Sequence, residues 1–295
     1  MIIKSEVSFL RVVKIQPPPI FQARKVKVFH FSSYLLPFCF LLILLLLASC
    51  NSKTSSAANQ QVEILNNIAF SIRSSGKFIK VPHSPRYLPE VGEDYALLIF
   101  FKMNRLPSKG DRVLLLSKFD SFSPAKRGLA ISLKKDQDES VHPEVYWRSN
   151  AGVGGWYKFS DLPIVAKEWI CLLLSFRVGA LLGMHSVSFL PARKPEASLL
   201  GGYQLLIPDK NEPILPISKS DLLIGSFGGG EFRGAIGPIG IIKKDNLTEI
   251  LPELLRYLKQ GDLQNPPEII DPSHLQLWII NKQDRSPHQG EVLFN

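Results

Sequence analysis

The chain has 295 residues and a mass of 33.1 kDa, with 45% hydrophobic and 21% charged residues. Those proportions exclude a disordered, collagenous or coiled-coil chain, and three cysteines are too few for a disulfide scaffold or a zinc-finger array. The net charge of +9 would suit nucleic acid, but Lys4, Arg11, Lys14, Arg24, Lys25 and Lys27 against Glu6 place +5 of it in residues 1–50. The remaining +4 is spread over the rest of the chain, so no nucleic-acid partner is expected.

Residues 1–49 read as an address. The basic cluster Arg24, Lys25 and Lys27 gives way to an apolar run over residues 35–48. At about 1.5 Å per residue a helix of this length reaches roughly 21 Å, short of a hydrocarbon core of ~30 Å. A basic segment, a short apolar segment and small residues at its end form a secretory signal. Leu47-Ala48-Ser49-Cys50 resembles the lipobox of bacterial lipoproteins. That resemblance implies cleavage before Cys50, with Leu47, Ala48 and Ser49 recognised by the signal peptidase, and acylation of the Cys50 thiol. It implies a bacterial cell-envelope protein held on a lipid bilayer. Asn51 and Ser52 follow, and the absence of Asp after Cys50 points to the outer rather than the inner membrane. Residues 50–61 are small and polar and read as a flexible tether. Cys171 is then the one cysteine left, which excludes an intramolecular disulfide.

From residue 62 onward short apolar runs are cut by Gly, Pro, Asn and Asp. The pattern predicts strands over 67–73, 77–81, 95–103, 112–118, 128–134, 144–148, 169–178, 181–190, 203–207, 221–226 and 235–242, and a last one over 274–280. In 169–178 the period is two. Ile170, Leu172, Leu174, Phe176 and Val178 share one face; Trp169, Cys171, Ser175 and Arg177 share the other. Leu173 makes that second face apolar too, as a central strand requires. One helix is expected, from Leu247, Ile250, Leu251, Leu254, Leu255 and Leu258, with Thr248 as N-cap, Gly261 as the stop, and Pro252 tolerated only in the first turn. Many strands without alternating helices predict an all-β, antiparallel sandwich with one short C-terminal helix, occupying residues 62–295 as a monomer.

The order of these pieces resembles the laminin-G-like, concanavalin A-like jelly roll over about residues 62–262. The opening is carried by Gly76-Lys77-Phe78-Ile79-Lys80-Val81-Pro82, Tyr87-Leu88-Pro89 and Asp94-Tyr95-Ala96-Leu97-Leu98-Ile99-Phe100-Phe101-Lys102. Glu168-Trp169 leading into Leu174-Ser175-Phe176 resembles the middle strand. Leu223-Ile224-Gly225-Ser226 and Phe232-Arg233-Gly234-Ala235-Ile236-Gly237-Pro238 resemble the closing ones. The resemblance implies a lectin- or glucanase-type sandwich.

Catalytic members of that fold cleave glycans with acids spaced along one strand. No Glu-x-Asp-x-x-Glu run occurs here. Asp136-Gln137-Asp138-Glu139 reads as a solvated turn, and Glu268-Ile269-Ile270-Asp271 lies between Pro267 and Pro272, outside any paired strand interior. His83, His142, His185, His274 and His288 are scattered without metal-binding spacing and read as surface or turn residues. Cys171 reads as a buried thiol. Gly228-Gly229-Gly230-Glu231 lacks the Lys-Ser/Thr of a phosphate loop. Some relatives hold Ca²⁺ in loops; Asp120 is the best-placed carboxylate, but Ca²⁺ takes six or more oxygens, so no metal and no cofactor are assigned. The informative group is Tyr146, Trp147, Trp156 and Tyr157 around the Gly/Asn-rich segment 149–155. Aromatics rimming such a loop stack on sugar faces, so Arg148, Asn150, Trp156 and Tyr157 are the candidate ligand-binding residues. The expected function is a non-catalytic, lipid-anchored envelope module that binds carbohydrate or an envelope protein. The alternatives are a degenerate glycoside hydrolase of the same fold and a purely structural envelope lipoprotein.

Overall fold

A computed structural model describes residues 59–72, 78–119, 127–179, 181–190, 193–207, 209, 211–216, 218–225, 232–280, 283–284 and 293–294. Leu47, Ala48, Ser49, Cys50, Asp120, His288 and residues 228–231 lie outside the described residues. Among the described residues no helix is long and apolar enough to cross a membrane.

Two antiparallel sheets make up the body. The first has eight strands in the order β10 (Glu196–Gln204), β9 (Leu181–Phe189), β8 (Trp169–Arg177), β3 (Asp94–Met103), β12 (Gly234–Lys244), β13 (Leu275–Ile280) and β14 (Gln283–Asp284), with β1 (Phe70–Ile72) also paired to β12. The second has seven, β15 (Leu293–Phe294), β2 (Ile79–Val81), β11 (Leu222–Ile224), β4 (Arg112–Phe119), β5 (Gly128–Lys135), β6 (Val141–Arg148) and β7 (Gly154–Lys158). The fold is the expected antiparallel jelly-roll sandwich.

The period-two pattern in β8 explains how the layers stack. Ile170, Leu172, Leu174 and Phe176 join Leu129, Ile131 and Leu133 of β5 and Val145 and Trp147 of β6 in the core between the sheets. Trp169, Cys171 and Leu173 point the other way and pack under two helices. Each buried Leu or Phe in these clusters is worth about 1.5–3 kcal/mol relative to exposure. α2 (Leu247–Gln260) contributes Leu247, Leu254 and Leu258. Its N-cap is Asn246 rather than Thr248, which lies inside the helix. Pro252 sits in the second turn, not the first, but on the exposed side, where water can serve the carbonyl it leaves without a donor. Gly261 ends the helix as expected. A Cβ there would come within 2.3 Å of the Tyr257 ring, so a close approach and not a left-handed turn selects glycine.

The second helix is a departure from the sequence reading. α1 spans residues 59–68, taking in the end of the predicted tether and the start of the strand predicted over 67–73. Gln61, Leu65 and Ile68 form one buried stripe at helical spacing. Asn66 fixes the helix to the first sheet: its Oδ1 accepts from Trp169 Nε1 at 3.0 Å and from Lys102 Nζ, and the Lys102 ammonium lies 5.0 Å from the Trp169 ring. Other strands were also unforeseen, the short β14 and β15 among them. β7 falls in the segment read as a loop, and β10 begins at Glu196 where a strand over 203–207 was expected.

Candidate functional site

The site is built on the outer face of β4–β7. β6 and β7 form a hairpin in which Tyr146 pairs with Trp156 and Val145 with Tyr157. Ser149 closes its turn, its N–H donating to Val153 O at 2.8 Å and its Oγ accepting from Val153 N at 3.2 Å. The segment read as a flexible loop is therefore a hydrogen-bonded turn. Gly154 is required there: its φ is +129° and a Cβ would meet Trp147 O at 2.3 Å.

Strand alternation divides the four predicted residues. Trp156 stands on the outer face and is 38% exposed. Arg148 is on the same face of β6, with its guanidinium near Gly152 of the turn. Asn150 is half-buried in the turn. Tyr157 points to the opposite face, against the inter-sheet core, with its ring 5.3 Å from Tyr203. Burial raises the Tyr157 pKa. Trp147 is wholly inside, its indole N–H donating to Ile214 O at 3.0 Å. The structure thus brings Trp156 and Arg148 together on one face and separates Tyr157 from them.

It also adds partners the sequence reading did not include. The Arg112 guanidinium lies over the Trp156 ring at 3.8 Å, and Tyr146 meets the same ring edge-on at 5.3 Å. Arg112 is held there by Glu144, whose Oε2 accepts from Nε at 2.8 Å and from Nη2 at 2.6 Å. Glu144 Oε1 is 3.4 Å from His142 Nε2, and His142 Nδ1 is 3.4 Å from Asp136 Oδ2. Lys158 Nζ donates to Asp136 Oδ2 at 2.6 Å. That bond holds the Asp136 carboxyl below the usual range and raises the Lys158 pKa. A row of polar groups runs from Lys158 through Asp136, His142, Glu144 and Arg112 to Trp156, with His142 Nδ1 beside Asp136 but not hydrogen-bonded to it. His142, expected at the surface, is fully buried within it, because Asp136 and Glu144 flank its ring and Lys134 lies cross-strand beside it. The cross-strand register Lys134–His142 and Glu144–Lys158 assembles this row.

The site has the make-up of a binding surface: a clamped, part-exposed indole with several cations and hydrogen-bonding groups nearby. Every carboxylate here whose pKa shifts, Asp136, Asp138 and Glu139 included, is shifted down, chiefly by hydrogen bonds from Lys158, Ser140 and Lys135. The Glu268–Asp271 grouping lies outside any strand, as expected. Among the described residues no group of three or more His, Cys, Asp or Glu is placed to hold a metal ion. Cys171 is fully buried and burial raises its thiol pKa, which removes it as a nucleophile.

No protein-family model matches the sequence, and the curated proteins give no significant match. The solved structures with a likeness to this one include tailspike protein 2 from Escherichia coli O157:H7 bacteriophage CAB120, at TM-score 0.48 and 13% identity, covering 72% of this chain. They include the Ruminococcus gnavus IT-sialidase CBM40 bound to alpha2,3 sialyllactose, at TM-score 0.38 and 10% identity over 60% of this chain. An alginate lyase from Pseudomonas aeruginosa is similar at TM-score 0.31 and 15% identity over 52%. The match spans 30% of the tailspike chain, 90% of the CBM40 and 64% of the lyase.

Proposed function

We infer that the protein is a lipid-anchored, non-catalytic module of the bacterial cell envelope, on the outer membrane, that binds a glycan through Trp156. The observation that carries this reading is the state of the indole: part exposed, yet fixed by Arg112 on one ring face and by Tyr146 at the edge. A side chain held in place loses little entropy on binding, and a sugar ring stacks on an aromatic plane by its C–H face. The lipobox residues Leu47 to Cys50 support the anchor. The lack of a Glu-x-Asp-x-x-Glu run in the sequence supports a non-catalytic role. Tyr157 serves this site as packing and not as a contact.

The test is a glycan array with the full chain, followed by calorimetry on the best ligand. Weak binding is expected, with Kd from ~1 mM to ~1 μM, and no release of reducing sugar. Trp156→Ala is expected to weaken binding about tenfold or more, some ~1.4 kcal/mol. Turnover of any polysaccharide would reject the reading.

A further inference from the structure

A second concavity lies on the first sheet, away from Trp156. It is a cleft of 360 Å³ on the outer face of β8, β9 and β10, where α2 leaves those strands uncovered. Its floor follows from register. Ser175, Gly183 and Gly202 sit side by side across the three strands. Two adjacent glycines remove the side chains from the centre of this row and leave a trough. The backbone does not demand them, since neither residue has a left-handed φ. At Gly202 a Cβ would meet only Leu182 O, at 3.4 Å, an ordinary contact. Flanking rows supply the walls: Arg177 on one side, His185 with Leu199 on the other, and Leu251 of α2 along the rim.

Two of the wall residues have unmet hydrogen-bonding capacity. Arg177 Nε and His185 Nδ1 are both buried and have no hydrogen-bond partner among the described residues. Arg177 Nη1 points to Thr248 Oγ1 at 3.4 Å, while the residue lines the cleft with its Nε enclosed and without a partner among the described residues. Elsewhere in this molecule the Nε edge of an arginine has a carboxylate: Arg112 binds Glu144 through Nε and Nη2. Buried polar atoms without partners are uncommon in native folds, and a bound polar ligand is one way such an atom is satisfied. Burial and the Arg177 charge both lower the His185 pKa, so the imidazole is neutral at pH 7. Arg177 is then the one charged side chain lining the cleft among the described residues. One fixed cation matches one negative charge, and a planar fork matches a carboxylate.

We propose that this cleft binds a small carboxylated sugar of hexuronate size, with its carboxylate on the Arg177 guanidinium, its ring on the Gly183–Gly202 floor and a hydroxyl on His185. The cleft volume falls within the range of small-molecule sites. Leu199, 66% exposed, and Leu251 give the ring its apolar contact. This site is independent of the Trp156 surface.

The experiment is calorimetric or NMR titration of the full chain with sodium D-glucuronate, with D-glucose as the uncharged control. Glucuronate is expected to saturate the protein at millimolar concentration and glucose not to bind at this cleft. Arg177→Lys keeps the charge but loses the fork and should weaken glucuronate at least tenfold. Gly202→Val fills the trough and should abolish it, with circular dichroism unchanged. Trp156→Ala should leave it unaltered. Failure of glucuronate to bind at 20 mM (roughly a −2.3 kcal/mol threshold), or binding that survives both Arg177→Lys and Gly202→Val, overturns the proposal. So does binding that is lost in Trp156→Ala alone, which would assign the sugar to the other face.

Discussion

The carboxylate of Asp94 accepts the backbone N–H of Leu247 at 2.8 Å, joining the start of β3 to the start of α2 across 153 residues of sequence. Its other oxygen accepts the N–H of Val178 at the end of β8. The residue is 3% exposed. One buried acid thus serves a helix N-terminus that its own N-cap side chain does not serve, and a strand end besides. Asp94→Ala should cost about 1.5–3 kcal/mol, the value of hydrogen bonds to a charged group, read as a lower urea midpoint at unchanged slope. Asp94→Asn keeps an acceptor and should lose less. Equal losses in the two variants would show that the charge, not the bonding, matters.

Trp156 and Tyr157 are neighbours in sequence with different expected phenotypes. Trp156→Ala should lower stability by no more than about 1 kcal/mol, because the ring is part exposed and loses chiefly its contacts with Arg112 and Tyr146. Tyr157→Ala removes a ring packed on the core and on Tyr203, and should cost about 2–4 kcal/mol. Thermal melts of the two variants decide it: a larger drop for Trp156→Ala would mean that the indole is core.

Acid should destabilise the fold in two windows. His83 and His185 are lowered from 6.5, first by burial. Below pH 6.5 the unfolded chain takes up protons that the folded one resists, so stability is complete above that value and begins to fall beneath it. Asp136, Asp138 and Asp271 are lowered from 3.8, chiefly by hydrogen bonds from Lys158, Ser140 and Ser273. Their contribution is present above 3.8 and is lost as pH falls through the folded values. Urea midpoints from pH 8 to pH 3 should decline monotonically. Lys158→Met should raise the Asp136 titration midpoint by carboxyl NMR, since it removes the first of its stabilising partners. A protein most stable near pH 4 would contradict both assignments.

Cys171 should be inert in the native state. It is buried in β8 and its thiol pKa is raised by burial. Iodoacetamide should label it only after unfolding, and reductant should not move the melting temperature. Labelling of the native protein at neutral pH within minutes would place the thiol at the surface.

The proposed lipid anchor predicts that Cys50→Ser abolishes fatty-acid labelling and membrane retention in a bacterial host. Label that persists in the variant would refute acylation at Cys50.

Much of the sandwich was legible because its central strands carry their pattern locally. In β8, Ile170 to Phe176 and Trp169 to Leu173 alternate as two apolar faces, and the chain could satisfy both only between two layers. β7 and β10 were not legible for the opposite reason. Gly154-Gly155 and Gly201-Gly202 weaken any strand signal, and both strands lie at sheet edges, where pairing with β6 or β9 alone holds them. α1 was hidden because Leu65 and Ile68 are too few to outweigh the polar residues before them. Part of the candidate face was visible in Trp156 and Arg148, which lie in one hairpin. Arg112 and Asp136 were not, since 44 residues separate Arg112 from Trp156 and only the β4–β5–β6 register brings them together.

The clasp at Asn66 has a mechanical consequence. A pull arriving from the N-terminal side meets α1 first, and α1 is joined through Asn66 to Lys102 on β3 and Trp169 on β8. Those two strands are neighbours in the interior of the eight-stranded sheet. The load therefore enters through two interior strands that share a ladder from Tyr95–Phe176 to Lys102–Trp169, instead of peeling an edge strand one hydrogen bond at a time. Under a pull from that side the chain would yield at the helix before the sandwich, and the Trp156 face of β4–β7 would keep its shape under tension.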